Sequence, residues 1–398
     1  APVQSFVDRF ARIYTPAVIV LAAIVAVVPA LLFGGDAATW IYRSLVLLVI
    51  ACPCALVIST PVSIVAALSA AARNGVLIKG GAHLERLAEV RVVAFDKTGT
   101  LTRGEPRVND VIAVDGEQPA HVLRYAAAVE ARSEHALARA ITHRAGELGL
   151  DLPVAQGFMS TPGRGAEAQV GDRHVIIGND AMLSSRGIAV PPEAIESLRR
   201  RGSTVVCVAV DGRLLGFIAV ADPLRETARE TIEMLRSHGV RRVAMLTGDH
   251  AVTAQAVAAS LALDEDHHGL MPDEKHARIQ AMRAHGVVLM VGDGVNDAPA
   301  LAAADVGVAM GAAASDAALE TADIALMSGE LLKLPYALRL ARATVRNIKT
   351  NLVVSLALKA IFLVMAMTGS ATLWMAVLAD TGASVIVVAN ALRLLRAR

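Results

Sequence analysis

The chain carries almost no net charge. Its 38 Lys and Arg stand against 37 Asp and Glu, a balance of +1 over 398 residues. With no basic tract beyond the Arg-rich end, charge makes no case for nucleic acid as a partner. Cysteine is scarce as well: three residues, two of them one position apart in an apolar segment, cannot form a disulfide framework. Cys207, within the strand-like Thr204-Val205-Val206-Cys207-Val208, reads as a buried structural thiol. The sequence shows no internal repeat and no low-complexity linker. Its first apolar run is too long for a signal peptide and shows no convincing cleavage site. Apolar residues, by contrast, are abundant. At 55% hydrophobic and a mean hydropathy of +0.51, the chain is too apolar for an ordinary soluble protein.

The excess lies at the two ends. Four segments approach the roughly 20 residues that span a bilayer: Tyr14 to Phe33, Trp40 to Ala72, Ile348 to Thr368 and Thr372 to Leu392. Arg9, Arg12, Arg73, Lys79, Arg346, Lys349, Arg393, Arg396 and Arg398 flank them on one side. Gly34-Gly35-Asp36 and Gly369-Ser370 make short turns on the other. Basic flanks stay in the cytoplasm, so the middle of the chain is expected there.

From Val90 to Pro335 strands alternate with helices, the pattern of a doubly wound α/β fold. Val92-Val93-Ala94-Phe95 reads as a buried strand, which puts Asp96 of Asp96-Lys97-Thr98-Gly99-Thr100-Leu101-Thr102 at its carboxyl end, where open α/β sheets hold their chemistry. A carboxylate there can attack the γ-phosphate of ATP and form an acyl phosphate. The position two residues on, where a hydrolase often has a second Asp, is Thr98, so the acyl phosphate should persist. Three further pieces read as parts of the same site: Asp222-Pro223-Leu224-Arg225, Met245-Leu246-Thr247-Gly248-Asp249, and Val291-Gly292-Asp293-Gly294-Val295-Asn296-Asp297. Residues 105–215 have their own helices and strands and read as an inserted domain. The expected division is 1–88 membrane, 89–104 with 216–335 phosphorylation domain, 105–215 insertion and 336–398 membrane.

Several of these signals have a plainer reading. Asp293 and Asp297 on a Gly-rich loop suit a helix cap as well as a metal. Lys275 alone would be a solvated lysine, and Gly163-Arg164-Gly165 alone a turn. Cys52 and Cys54, about 200° apart on a regular helix, would point in opposite directions were it not for Pro53, which removes a backbone bond and turns both sulfurs to one side. Asp380 and Lys359 are ionisable residues inside apolar spans, which marks them as functional. Each lies about ten residues, or about 15 Å, from the Gly369-Ser370 turn, at a depth similar to the cysteines. Thiolates favour Zn²⁺, Cd²⁺, Pb²⁺ or Cu⁺. Two thiolates and a carboxylate overcompensate a divalent ion by one charge, which Lys359 balances. A structural Asp–Lys pair beside two buried cysteines is the alternative.

Taken together, these motifs resemble the heavy-metal class of P-type ATPases, and within it the bacterial zinc/cadmium/lead exporters. The resemblance runs over essentially the whole chain. It includes Ser133-Glu134-His135, Leu270-Met271-Pro272-Asp273-Glu274-Lys275 and Leu378-Ala379-Asp380-Thr381-Gly382-Ala383-Ser384. It departs at Ala136, where the family usually has proline. It implies four transmembrane helices and a haloacid-dehalogenase-like phosphorylation domain with an inserted α+β nucleotide-binding domain. Around Asp96 it implies catalytic roles for Lys97, Thr98, Thr247, Gly248, Asp249, Lys275 and Asn296. Glu130, His135, Gly163 and Gly165 would form the ATP pocket. Asp96, Asp293 and the Thr98 carbonyl would hold Mg²⁺ with Asp297 nearby, and Cys52, Cys54 and Asp380 would hold the transported metal with Lys359 as charge partner. The location it implies is a bacterial plasma membrane, and the partners are the lipid bilayer and an N-terminal half with an actuator domain and a Thr-Gly-Glu loop, which Ser328-Gly329-Glu330 is not. A copper pump and a membrane-tethered phosphatase stand as alternatives. Asp380 and Lys359 speak against copper.

Overall fold

The computed structural model describes residues 2–32, 36–133, 135–293, 297–311, 320–367 and 370–396. Its seven-stranded sheet follows the spatial order Val76–Ile78, Ile324–Leu326, Val306–Met310, Val287–Gly292, Val90–Asp96, Arg242–Leu246, Glu265–His267. Every pairing is parallel except that of the edge strand Val76–Ile78. Side chains alternate between two covered faces. Val93 and Phe95 join one core cluster with Met245, Leu289 and Val308; Val92 and Ala94 join the other with Leu246, Met290 and Ala309. Burial on both faces explains why these strands read as unbroken apolar runs. From Val90–Asp96 the chain winds outward through Arg242–Leu246 to Glu265–His267, then crosses back to Val287–Gly292 on the opposite side. The ends of Val90–Asp96 and Val287–Gly292 therefore flank the topological switch point, where such sheets open a crevice.

A six-stranded antiparallel sheet forms the inserted unit, in the order Arg107–Ala113, Arg213–Ala221, Thr204–Val210, Arg173–Gly178, Gly165–Val170, Ala155–Thr161. The chain enters it by Arg107–Ala113 and leaves by the adjacent Arg213–Ala221, paired from Arg107 with Ala221 to Ala113 with Gly216. The return strand thus runs past the expected boundary at 215. Helices Pro119–Glu130 and Ala136–Glu147 pack on one face, and Asp180–Ser185 and Pro192–Arg199 on the other. Cys207 is fully buried and free, and burial pushes its thiol up to about 12.

The apolar ends form helices Pro2–Leu32, Ala37–Ala51, Cys54–Arg73, Lys333–Met367 and Leu373–Leu392. Three of them, at Arg12–Pro29, Lys333–Ala366 and Leu373–Arg396, are long and apolar enough to cross a membrane. The expected second span, Trp40 to Ala72, is not one helix but two, broken at Cys52-Pro53. The turn residues Gly34, Gly35 and Gly369 lie outside the described residues, as do Phe33 and Thr368 at the ends of the first and third expected spans, and Arg398. The third expected span begins earlier than residue 348. It continues a helix whose first turns, at Leu334, Ala337, Leu338 and Ala341, are buried in the core of the parallel sheet.

Candidate active site

Asp96 ends its strand only 6% exposed, opposite Leu246 of the neighbouring strand. Lys275, near the start of helix Pro272–Met282, reaches it across the crevice. Its Nζ donates to Asp96 Oδ1 at 2.5 Å and to Asp297 Oδ1 at 2.8 Å. The carboxylates of Asp96, Asp293 and Asp297 lie within 4.8 Å of one another. Burial first, and then the Asp297 charge, push the Asp96 carboxyl up to about 7 against the pull of Lys275. The same two causes push Asp293 up to about 6. Burial alone would depress Lys275, but Asp96 and Asp297 outweigh it and hold the ammonium above its ordinary value. Three carboxylates thus share one ammonium, an excess of negative charge on hard oxygen donors. That donor set fits Mg²⁺, with Asp96 and Asp293 as the residues to hold it.

The loop after Asp96 is fixed from several sides. Gly99 takes φ +71, and a Cβ there would sit 1.6 Å from Asp293 Oδ2, so glycine is what lets that carboxylate close over the loop. Arg225 spans four carbonyls, donating to Gly99 O at 2.9 Å, Thr100 O at 2.9 Å, Thr102 O at 3.0 Å and Gly329 O at 3.2 Å. Asp222 accepts from Thr102 Oγ1 at 2.6 Å and from the Gly104 and Glu105 amides at 3.1 Å. Asp222 and Arg225 were visible in the sequence as one piece of the site, but no role could be attached to them there. Lys97 ion-pairs with Asp249, joining this loop to the one after Arg242–Leu246. Thr247 is buried and accepts the Asp249 amide at 3.1 Å, and its carbonyl accepts the Leu270 amide at 3.1 Å, which ties Gly248 and its neighbours to the Lys275 helix. Thr98 is exposed. Asn296 lies outside the described residues.

In the inserted unit, Glu130, Ser133, His135, Gly163, Gly165 and Asn179 line an open cleft of about 350 Å³. His135 caps helix Ala136–Glu147, its Nδ1 accepting the Leu137 amide at 3.2 Å, so a helix begins here without the family's proline. Burial raises the Glu130 carboxyl above its ordinary value, opposed by Ser133 and His135. A Cβ on Gly165 would meet Ile177 O at 2.0 Å, so this glycine permits close strand approach. Glu134 lies outside the described residues.

In the helical bundle, Pro53 ends Ala37–Ala51 and frees carbonyls at the break. Lys359 takes them: its Nζ donates to Ile50 O at 3.2 Å, to Cys52 O, and to Asp380 Oδ1 at 3.4 Å. Lys359 and Asp380 therefore meet at the break, beside a cavity of about 20 Å³ that they line with Ile50 and Phe362. Lys359 caps the broken helix end as well as balancing Asp380, a role the sequence did not disclose. The cysteines differ from expectation. Cys52 and Cys54, read as two thiolates, are joined as a disulfide with Cα atoms 5.5 Å apart, because the proline break brings both side chains to one side. Reduction is required before either sulfur can bind a metal.

A haloacid dehalogenase-like hydrolase family model matches residues 90–305. Over all of this chain, a probable cadmium-transporting ATPase of Staphylococcus aureus (strain MRSA252) is 45% identical and a zinc/cadmium/lead-transporting P-type ATPase of Escherichia coli (strain K12) is 48% identical. The chain covers 56% and 54% of those proteins, so it spans about half the length of the curated relatives it matches. The crystal structure of a zinc-transporting PIB-type ATPase in its E2.Pi state superposes with a TM-score of 0.85 at 47% identity, covering 98% of this chain and 64% of that one. With Asp96 at the switch point and the family model spanning the parallel sheet and its insertion, the chain belongs to the haloacid dehalogenase-like hydrolases and is similar along its whole length to metal-transporting P-type ATPases.

Proposed function

We propose that this chain is the catalytic and C-terminal membrane portion of an ATP-driven exporter of soft divalent metal ions, Zn²⁺, Cd²⁺ or Pb²⁺, in a bacterial plasma membrane. The observation that carries the reading is the Asp96–Lys275–Asp297 cluster at the switch point beside Asp293. ATP occupies the cleft at Glu130, His135, Gly163 and Gly165. An Asp96 carboxylate oxygen attacks the γ-phosphorus, the bond to the bridging oxygen breaks, and ADP leaves with that electron pair. Lys275 offsets charge gathering on the transferring group, Thr247 and Asp249 hold the adjoining loop, and Lys97 anchors the nucleophile loop to Asp249. Bound Mg²⁺ supplies the positive charge that the three carboxylates lack. With no carboxylate at position 98 to serve as a base, the acyl phosphate outlasts that of a phosphatase. The metal substrate is held at the helix break by reduced Cys52 and Cys54 with Asp380, and Lys359 compensates their charge. Asp380 and Lys359 favour a divalent ion over copper.

The test is acid-stable labelling from γ-³²P-ATP. The parent chain is expected to label, and Asp96→Asn to lose label while still binding nucleotide. Full labelling of the variant refutes the assignment.

A further inference from the structure

Between the cytoplasmic end of the bundle and the Lys359–Asp380 cavity runs a column of neutral polar side chains. Asn347, Asn351 and Ser355 precede Lys359 at four-residue intervals, so they share one face of helix Lys333–Met367. From Asn347 to Lys359 that face extends about 18 Å. Asn351 donates to Asn347 Oδ1 at 3.1 Å, and Asn390 donates to Asn351 Oδ1 at 2.8 Å. Ser63 reaches the same Asn347 Oδ1 at 3.2 Å from helix Cys54–Arg73. Three helices thus contribute to one seam.

Two hydroxyls on this seam stand apart. Ser59 is 2% exposed and Ser355 0% exposed, and neither Oγ has a hydrogen-bond partner among the described residues. Other hydroxyls of these helices satisfy themselves on the carbonyl one turn back: Ser63 on Ser59 O at 2.8 Å, Thr344 on Leu340 O at 2.7 Å, Ser384 on Asp380 O at 3.0 Å. A hydroxyl left unpaired in a bilayer interior is costly, and the self-satisfying rotamer is the usual remedy. Ser59 and Ser355 do without it. The pairing of Ser63 with Asn347 and of Cys52 with Lys359 places Ser59 level with Asn351 and Ser355 level with Ala55. Ala55 and Ala383, both buried and clustered together, carry only methyl groups there. Just beyond, the cavity of about 20 Å³ at Lys359, Asp380 and Ala383 is large enough for one water.

We propose that Ser59, Ser355, Asn347, Asn351 and Asn390 line a narrow hydrated passage by which the divalent cation approaches the Lys359–Asp380 site from the cytoplasm. Uncharged oxygens suit the task, since they replace hydration water without binding tightly enough to trap the ion. The cation's identity rests on the proposed function; the hydration of the column does not.

Water access is measured on the full chain in lipid nanodiscs carrying Cys52→Ser and Cys54→Ser, with buried Cys207 as constant background. Single cysteines are placed by Ser59→Cys, Ser355→Cys and Val353→Cys, the last at a side chain 65% exposed on the outside of the bundle. The probe is 2-aminoethyl methanethiosulfonate, which needs a hydrated thiolate. Cysteines at 59 and 355 are expected to react about tenfold faster than the one at 353. Adding Asn351→Leu, on the cytoplasmic side, is expected to slow position 355 by a similar factor. Reaction at 355 no faster than at 353, or a rate indifferent to Asn351→Leu, overturns the passage. The labelling uses neither ATP nor metal, so a dry column refutes the passage alone, and failure of Asp96 to label refutes the pump alone.

Discussion

Gly99→Ala isolates the geometry around Asp96 from its chemistry, because it removes no functional group. Two penalties follow from the structure. The backbone at φ +71 costs an alanine about 1 kcal/mol. The added Cβ would also lie 1.6 Å from Asp293 Oδ2 and 2.5 Å from its Cγ. Ordinary contact begins near 3.4 Å, so the carboxylate must retreat by about 1.8 Å, the difference between 3.4 and 1.6 Å. A side-chain terminus can do this cheaply, so stability should fall by little more than the backbone penalty. Function should not escape so lightly, because a 1 Å misplacement of a catalytic group can cost about 100-fold. Gly116→Ala is the matched control: its φ is +79, yet a Cβ there meets nothing within 4 Å. Both variants are expected to melt slightly earlier than the parent. Only Gly99→Ala should lose phosphoenzyme formation, by about 100-fold or more, and require more Mg²⁺. Equal labelling rates in the two variants would refute the claim that Gly99 exists to seat Asp293.

The remaining expectations concern charge. Without metal, the Asp96 and Asp293 carboxyls sit at about 7 and about 6, above the ordinary value, so both lose Mg²⁺ affinity as pH falls through those values. Mg²⁺ binding near pH 6.5, set between them, should therefore release protons, visible as a buffer-dependent calorimetric heat; a heat independent of buffer would contradict the raised values. Thr98→Asp places a base two residues from the acyl phosphate on an exposed side chain and should speed phosphoenzyme decay about 10-fold or more, read as loss of label in a chase. In the reduced chain, Asp380→Ala and Cys52→Ala should each weaken Zn²⁺ binding by at least about tenfold while sparing nucleotide binding; unchanged zinc affinity in both would remove the metal site from the helix break.

Features of the active site that depend on one residue's own chemistry were open to reading in advance. Val92 to Phe95 is apolar at every position, as a strand buried on both faces requires, and Asp96 follows directly. Pro53 lacks an amide, so a break beside Cys52 was foreseeable. Pairings across long separations were not. Lys97 and Asp249 are 152 residues apart, and each alone reads as a surface charge. Arg225 works by collecting backbone carbonyls, which leave no trace in sequence. Lys359 looked like a partner for Asp380 because both are charged, whereas the Ile50 and Cys52 carbonyls it caps belong to apolar positions. The boundary at 215 falls inside Arg213–Ala221, the last strand of the inserted sheet, because Phe217 to Ala221 is as apolar as a strand of the parallel sheet.

The two halves of the proposed mechanism are joined by continuous backbone. Helix Cys54–Arg73 starts at Cys54 of the proposed metal site and leads within three residues to Val76–Ile78, the edge strand of the sheet that carries Asp96. Helix Lys333–Met367 begins in the core of that sheet and carries Lys359 about 39 Å away, 26 residues along. Asn74 joins the two helices where they leave the domain, its Nδ2 donating to Ala70 O at 2.8 Å and Tyr336 Oη at 2.9 Å. A rotation of the sheet would therefore carry Lys359 and the cysteine break together, and would shift one against the other only where one of the two helices bends. The ammonium donates to a carbonyl of Cys52 itself. A bend that shifted Lys359 would disturb its contact with that carbonyl and its ion pair with Asp380 together. In the proposed pump, Lys359 is therefore where bending of either helix would reach the break at Cys52 and the Asp380 carboxylate at once.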